Sequence, residues 1–186
     1  MDQGVWQRIH DRLRQQVRQQ AGRSEEPSAG IIDSQSVKTT DVGGGERGFD
    51  GGKKVNGRKR HILVDTLGLV LVVLVHAANM ADVTAGRMLL AQSSLTVPTL
   101  QQVWADQGYR GERLQQVACG CELQLEIVER HQNGFQVQPR RWVVERTFAW
   151  LGRQRRLSKD YERLPQVSES VVYIAMIPLM LNRLTI

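Results

Sequence analysis

Apolar side chains recur at helical spacing from the first turn of the chain. Val5, Trp6, Ile9, Leu13 and Val17 predict an amphipathic helix over the first twenty residues, and SEEPSAG ends it. IIDSQSVKT reads as a short strand, followed by a loop, DVGGGERGFDGGKKVNGRKRH, rich first in glycine and then in base. RHILVDTLGLVLVVLVHAAN holds two apolar β runs split at Thr66-Leu67-Gly68, which predicts a hairpin. ADVTAGRMLLAQSS follows as a helix with Asp82 as its N-cap. QQVWADQGYRG is a fourth strand ending in a polar turn, ERLQQVACG a short helix, and LQLEIVER a fifth strand. From Gln138 the pattern is helical nearly to the end, with a break near Pro165. The order predicts an α/β domain: a mixed five-stranded sheet flanked by helices.

Composition narrows the class. A chain of 186 residues, 41% hydrophobic and 24% charged, has the makings of one globular core and excludes a disordered chain. A formal net charge of +6 favours a polyanionic partner, nucleic acid ahead of an anionic membrane surface. The apolar run LGLVLVVLVHAA is too short for a bilayer, and the polar N-terminus lacks the apolar stretch of a signal peptide. Cys119 and Cys121, without a nearby His, make a poor metal site and fit a reducing cytoplasm. Gly43, Gly45 and Gly48 match G-x-G-x-x-G, but no helix can start in the FDGGKK that follows, so a dinucleotide site is rejected.

The chemistry concentrates in acids. Asp33 sits inside an apolar strand, a type of residue that strands avoid and whose charge is costly to bury alone. Asp106 ends the fourth strand, and Glu145 lies on a helix among Trp142, Val144, Phe148 and Ala149. Each has an ordinary reading: Asp33 capping a turn with Ser34 or Ser36, Asp106 nucleating the Gln-Gly turn, Glu145 paired with Arg141 one helical turn back. Together, acids from two strands and a helix converge on one point only if a cation offsets their repulsion. Mg²⁺ prefers oxygen ligands, and two such ions about 4 Å apart are the usual clamp for in-line phosphoryl transfer. Asp65, at the hairpin, is read as a turn residue, and His61 and His76 as structural.

The blocks IIDSQSVKTT, GGKKVNGRKRHILVDTLGLVL, VWADQGYRG and RRWVVERTFAWLGRQRRLSKDYE resemble the catalytic domain of DDE-type bacterial insertion-sequence transposases. The resemblance runs from about Ala29 to the C-terminus, and it implies a ribonuclease-H-like fold. It also implies Asp33, Asp106 and Glu145 as the catalytic, metal-binding triad, with two Mg²⁺ or Mn²⁺ ions. Arg141 matches the arginine of the family's tyrosine-arginine-glutamate-lysine signature. Gln138 stands where that signature has tyrosine, and Gly152 where it has lysine; Arg153, Arg156 or Lys159 is expected to take over the phosphate contact. Residues 1–28 are expected to be a helix and linker left from an upstream region, and 29–186 the catalytic domain. The family's N-terminal DNA-binding segment has no counterpart, so the chain is expected to be a truncated copy or the second frame of a split element.

The resemblance implies double-stranded DNA as partner, both element ends and target, a homodimer when active, and a cytoplasmic, nucleoid-associated bacterial protein without membrane contact. Lys53, Lys54, Arg58, Lys59 and Arg60, in or beside the predicted loop, are candidate clamps on DNA phosphates near Asp33. Arg110, Arg141, Arg153, Arg156 and Lys159 are placed with them, while Trp104, Trp142 and Trp150 are expected in the core. Two other functions use the same residues: a hydrolytic nuclease that stops at cleavage, and an inactive DNA-binding remnant.

Overall fold

The structure, a computed structural model, describes residues 3–41, 44–129 and 140–185. Helix α1 spans Gln3–Gln20, followed by strands β1 (Ala29–Lys38), β2 (Gly48–Asp50), β3 (Val55–Asp65) and β4 (Val70–Ala77). Helix α2 (Asp82–Thr96), β5 (Gln102–Ala105), α3 (Glu112–Gly120) and β6 (Gln124–Ile127) alternate next; α4 (Arg141–Gly152) and α5 (Pro165–Leu184) close the chain. The main strands lie in the order β4-β3-β1-β5-β6. β4, β3 and β1 are antiparallel neighbours, and β1, β5 and β6 run parallel. This is the ribonuclease-H-like arrangement expected of the chain. Gln138 and Gly43 lie outside the described residues.

The predicted hairpin is present, turning at Gly68, whose φ of +81° is open to glycine at little cost. The predicted Gly- and base-rich loop is not one loop. Its centre pairs as β2 with the start of β3, making a six-stranded sheet, and the basic run Arg58-Lys59-Arg60 lies inside β3. Strand alternation then sends those side chains to opposite faces. Arg58 and Arg60 share a face with Ile62 and Val64, which pack under α4 and α5, while Lys59 and His61 share the face of Leu63, under α2 and α3.

Arg58 is fully buried. Its guanidinium donates to Asp160 Oδ1 (3.2 Å), the Glu162 carbonyl (2.8 Å), the Arg163 carbonyl (2.8 Å) and the Glu46 carbonyl (2.9 Å). Arg60, also buried, donates to the carbonyls of Leu157 (2.7 Å) and Lys159 (3.1 Å). These two arginines therefore fasten the irregular segment between α4 and α5 onto the sheet. That segment is longer than a break near Pro165, running from Arg153 to Leu164.

Helix α1 packs along α5 and contributes Val17 to the same apolar core as Ile31, Val64, Val144 and Met176. Arg18 reaches from α1 to the buried carboxylate of Asp65, which also accepts the Leu67 and Leu69 amides, so Asp65 is a hairpin residue as its position predicts. Helix α5 is long and apolar enough to cross a membrane by length and composition, and it packs here against α1 and β4.

One acid of α5 carries a pH dependence. Burial pushes the Glu169 carboxyl up to about 7, although the Val75 amide donates to its Oε1 at 2.9 Å. In the unfolded chain this group titrates near 4.5, so ionising it in the fold opposes stability. The stability it supplies as a neutral acid is complete below pH 4.5 and lost as pH rises through about 7. Glu169→Gln keeps the acceptor, and by pH 8 it should be more stable than wild type by roughly 1–3 kcal/mol. Below pH 4.5 the two should denature alike; urea melts at the two pH values read the difference.

Candidate active site

Asp33 is the fifth residue of β1 and pairs with Ile62, so it faces the side of the sheet covered by α4. The Ser34 amide donates to its Oδ1 at 2.7 Å. Asp106 follows the last residue of β5, one strand over, and caps a single 3-10 turn by accepting the Gly108 amide at 2.8 Å. Glu145 is one helical turn after Arg141 in α4 and is largely exposed. Helix α4 enters through Arg140, whose φ of +76° is left-handed and unfavourable for a residue with a side chain. Its guanidinium lies 4.1 Å from the centre of the Trp104 ring.

This entry turns Arg141 inward. One guanidinium nitrogen of Arg141 lies 3.9 Å from Asp33 Oδ2, 3.6 Å from Asp106 Oδ2 and 3.6 Å from Glu145 Oε1. All three acids thus surround one buried cation, each at more than hydrogen-bond length. The ordinary readings of Asp33, Asp106 and Glu145 as turn and helix residues are realised as well, and they do not prevent the convergence.

The electrostatics are unbalanced. Burial pushes the Asp33 carboxyl up to about 6; the Ser34 amide opposes that, the nearby Asp106 charge adds to it, and Arg141 and Lys53 hold it back. A single guanidinium among three carboxylates leaves an excess of negative charge when all are ionised. The donor set is oxygen alone, which fits a hard divalent cation. Among the described residues, however, no three His, Cys, Asp or Glu side chains are gathered tightly enough to form a metal centre as they stand. The acids are arranged around Arg141 instead.

The other face of β1 holds a second polar group, which local sequence pattern does not tie to the site. Asp82 is not an N-cap: it is the first residue of α2, the cap is Ala81, and no side-chain cap bond forms. Its carboxylate accepts instead from Lys59 Nζ at 2.9 Å and Ser34 Oγ at 3.4 Å, with His61 Nε2 at 3.7 Å. A Cβ built on Gly108 would stand 3.0 Å from Asp106 Oδ1 and 3.1 Å from Asp82 Oδ2, so the backbone there passes between the two acids. His61 is buried, stacked on His76 at 4.8 Å and bonded to the Tyr109 hydroxyl at 2.7 Å, which fits its structural reading. Burial holds the His61 ring well below the usual histidine range. No sequence pattern signals this cluster; it exists because β3 places Lys59 and His61 on the α2 face.

The candidate DNA contacts divide. Arg58, Lys59 and Arg60 do not lie on an exposed loop; they are buried and bonded within the fold, Lys59 to Asp82 and the Met80 carbonyl. Lys53 is exposed on the β2–β3 turn, and its Nζ donates to the Ser34 carbonyl at 3.0 Å, beside Asp33. Lys54, Arg153 and Lys159 are exposed. Arg110 and Arg156 are exposed and bonded to Glu129 (2.6 Å) and Glu162 (2.8 Å). Arg141 is buried among the acids. Trp104 is buried as expected, its indole donating to Glu126 at 2.7 Å, whereas Trp142 is 42% exposed and not a core residue.

A curled mixed sheet with one acid midway along β1 and a second just past the end of the neighbouring β5, faced by a third on a helix, is a ribonuclease-H-like domain. Residues 24–180 match the transposase DDE domain family, and the chain belongs to it. It is 36% identical over 115 residues to a putative transposase for insertion sequence element IS402 from Burkholderia cepacia, covering 58% of this chain and 54% of that protein. The chain thus spans about half the length of this curated relative. Its fold is similar to a chain of the simian T-cell lymphotropic virus intasome, solved in complex with PP2A regulatory subunit B56 gamma. That likeness has a TM-score of 0.51 at 14% identity, covering 82% of this chain and 49% of the other.

Proposed function

We propose that the chain is the catalytic domain of an insertion-sequence transposase, cutting DNA at element ends and joining the freed 3′-hydroxyl to target DNA. The observation that carries this reading is the convergence of Asp33, Asp106 and Glu145 on one nitrogen of Arg141, each between 3.6 and 3.9 Å from it. Asp33, Asp106 and Glu145 would hold Mg²⁺ or Mn²⁺, two ions in all, supplying activation of the attacking oxygen and stabilisation of the leaving one. The chain's own residues do the rest. Burial makes Asp33 a demanding partner for positive charge, and the Asp106 turn, fixed by the Gly108 amide, holds the second carboxylate against it.

Arg141 offsets the acids in this arrangement and is placed to meet a phosphate once they are otherwise balanced. Lys53, Lys54, Arg153 and Lys159 present exposed charge for the backbone of duplex DNA, with Arg110 and Arg156 able to exchange their surface carboxylates for phosphate. The setting is a cytoplasmic, nucleoid-associated protein that dimerises to act on two ends.

The discriminating experiment supplies a duplex already cut at an element end, target plasmid and Mg²⁺. Joined product is the expected result. Cleavage without joining over a range of end sequences would leave a hydrolytic nuclease, and neither reaction, with DNA binding intact, a non-catalytic binding domain.

A further inference from the structure

On one side of α4, Trp142, Arg146 and Trp150 follow at four-residue spacing and form one stripe, its middle lying over the β3–β4 turn, where Arg146 donates to the Leu67 carbonyl at 3.1 Å. The Arg146 guanidinium lies 4.4 Å from the Trp142 ring centre and 4.7 Å from that of Trp150, and Arg183 of α5 adds a fourth member 4.9 Å from Trp150. The result is an alternating ladder of indoles and guanidiniums. It is poorly balanced in charge. Burial lowers the proton affinity of both Arg146 and Arg183, the Arg146 charge lowers that of Arg183 further, and the acid that faces both, Asp65, is already bonded to Arg18.

Beyond Arg183 the ladder opens into a cleft of about 350 Å³ lined by Trp150, Arg153, Gln154, Pro178, Asn182 and Arg183. No acid lines it. At the opposite end Trp142 is 42% exposed, a large apolar ring left partly in solvent.

We propose that this ladder and cleft form a binding site for a single DNA strand with unpaired bases. The phosphates lie on Arg153 and Arg183, and a base stacks on the open face of Trp142. Unpaired bases are specified because an indole face and a guanidinium plane are stacking surfaces, which a base inside a duplex cannot reach. Trp142 precedes the exposed Glu145 by three residues of α4, so a strand reaching that end of the stripe comes within one helical turn of the third acid. This inference rests on the transposase reading for its DNA partner and adds that the partner is a frayed or displaced strand.

The test uses the full chain and two fluorescein-labelled probes, an oligothymidine and a blunt duplex of mixed sequence, with affinity read by anisotropy. Trp142→Ala should weaken oligothymidine binding about tenfold or more, with a much smaller loss on the duplex, whereas Arg153→Gln/Arg183→Gln should weaken binding to both probes. Trp142→Tyr, which keeps an aromatic face, should bind as wild type does, and it serves if the alanine variant melts early. Unchanged oligothymidine affinity in folded Trp142→Ala, or equal losses on both probes, overturns the proposal. Wild-type protein that binds oligothymidine through Trp142 yet never cleaves would defeat the transposase reading alone, and one that cleaves yet ignores Trp142 would defeat this inference alone.

Discussion

Arg58→Ala should cost about 3–5 kcal/mol of folding stability, a large share of the roughly 5–15 kcal/mol that holds a domain together. Removing the guanidinium takes the ion-pair partner from the buried Asp160 carboxylate, and frees the carbonyls of Glu46, Glu162 and Arg163 from their donor. Arg58→Lys should recover little, because one ammonium cannot reach partners arranged for a planar fork. Denaturant melts measure the loss. Two neighbours give the comparison: Lys53→Gln and Lys54→Gln alter exposed charges and should leave the melt unchanged while weakening DNA binding and its salt dependence. If Arg58→Ala instead melts like wild type and loses DNA affinity, this arginine is a DNA contact and its buried placement is wrong.

Asp33→Asn should separate catalysis from folding by a wider margin. The substitution keeps the shape and the Ser34 amide bond while removing a carboxylate that burial and Asp106 both oppose. Without metal the variant should be as stable as wild type or slightly more so, since Arg141 retains Asp106 and Glu145 as partners. Cleavage of a DNA duplex should fall by orders of magnitude, because activation of the attacking oxygen and stabilisation of the leaving one both depend on the ions. A purely structural Asp33 gives the reverse pattern: a loss of roughly 3–5 kcal/mol in EDTA with cleavage retained by whatever remains folded. Thermal melts with and without metal, beside a nicking assay, distinguish the two.

Period and punctuation carried most of the fold into view. The hairpin at Thr66-Leu67-Gly68, the alternation of helix and strand from Asp82 to Ile127, and the first helix all follow from local pattern, and each lies where expected. The basic run Arg58-Lys59-Arg60 was misleading for a physical reason. Lys and Arg next to glycines suggest a solvated turn, and nothing local reveals that Asp160, about a hundred residues on, supplies a buried partner. Asp82 failed similarly: an acid ahead of a helical stretch is the usual sign of a cap, and only the register of β3 brings Lys59 to claim it. An aromatic residue such as Trp142 suggests the core, but it is offset around α4 from the inward-facing Arg141 and Val144. The acids of the site were readable as odd residues in apolar settings; that Arg141 would stand among all three was not, because it depends on the left-handed turn at Arg140.

The central claim is that Asp33, Asp106 and Glu145 together hold divalent metal in place of their present balance with Arg141. Mn²⁺ titration followed by electron paramagnetic resonance, on wild type and on Asp33→Asn/Asp106→Asn, measures it without any DNA. Wild type should take up Mn²⁺, with two ions bound at saturation, and the double variant, shown by its melt to be folded at the assay temperature, should lose that binding. Equal Mn²⁺ uptake by the two proteins would contradict the account.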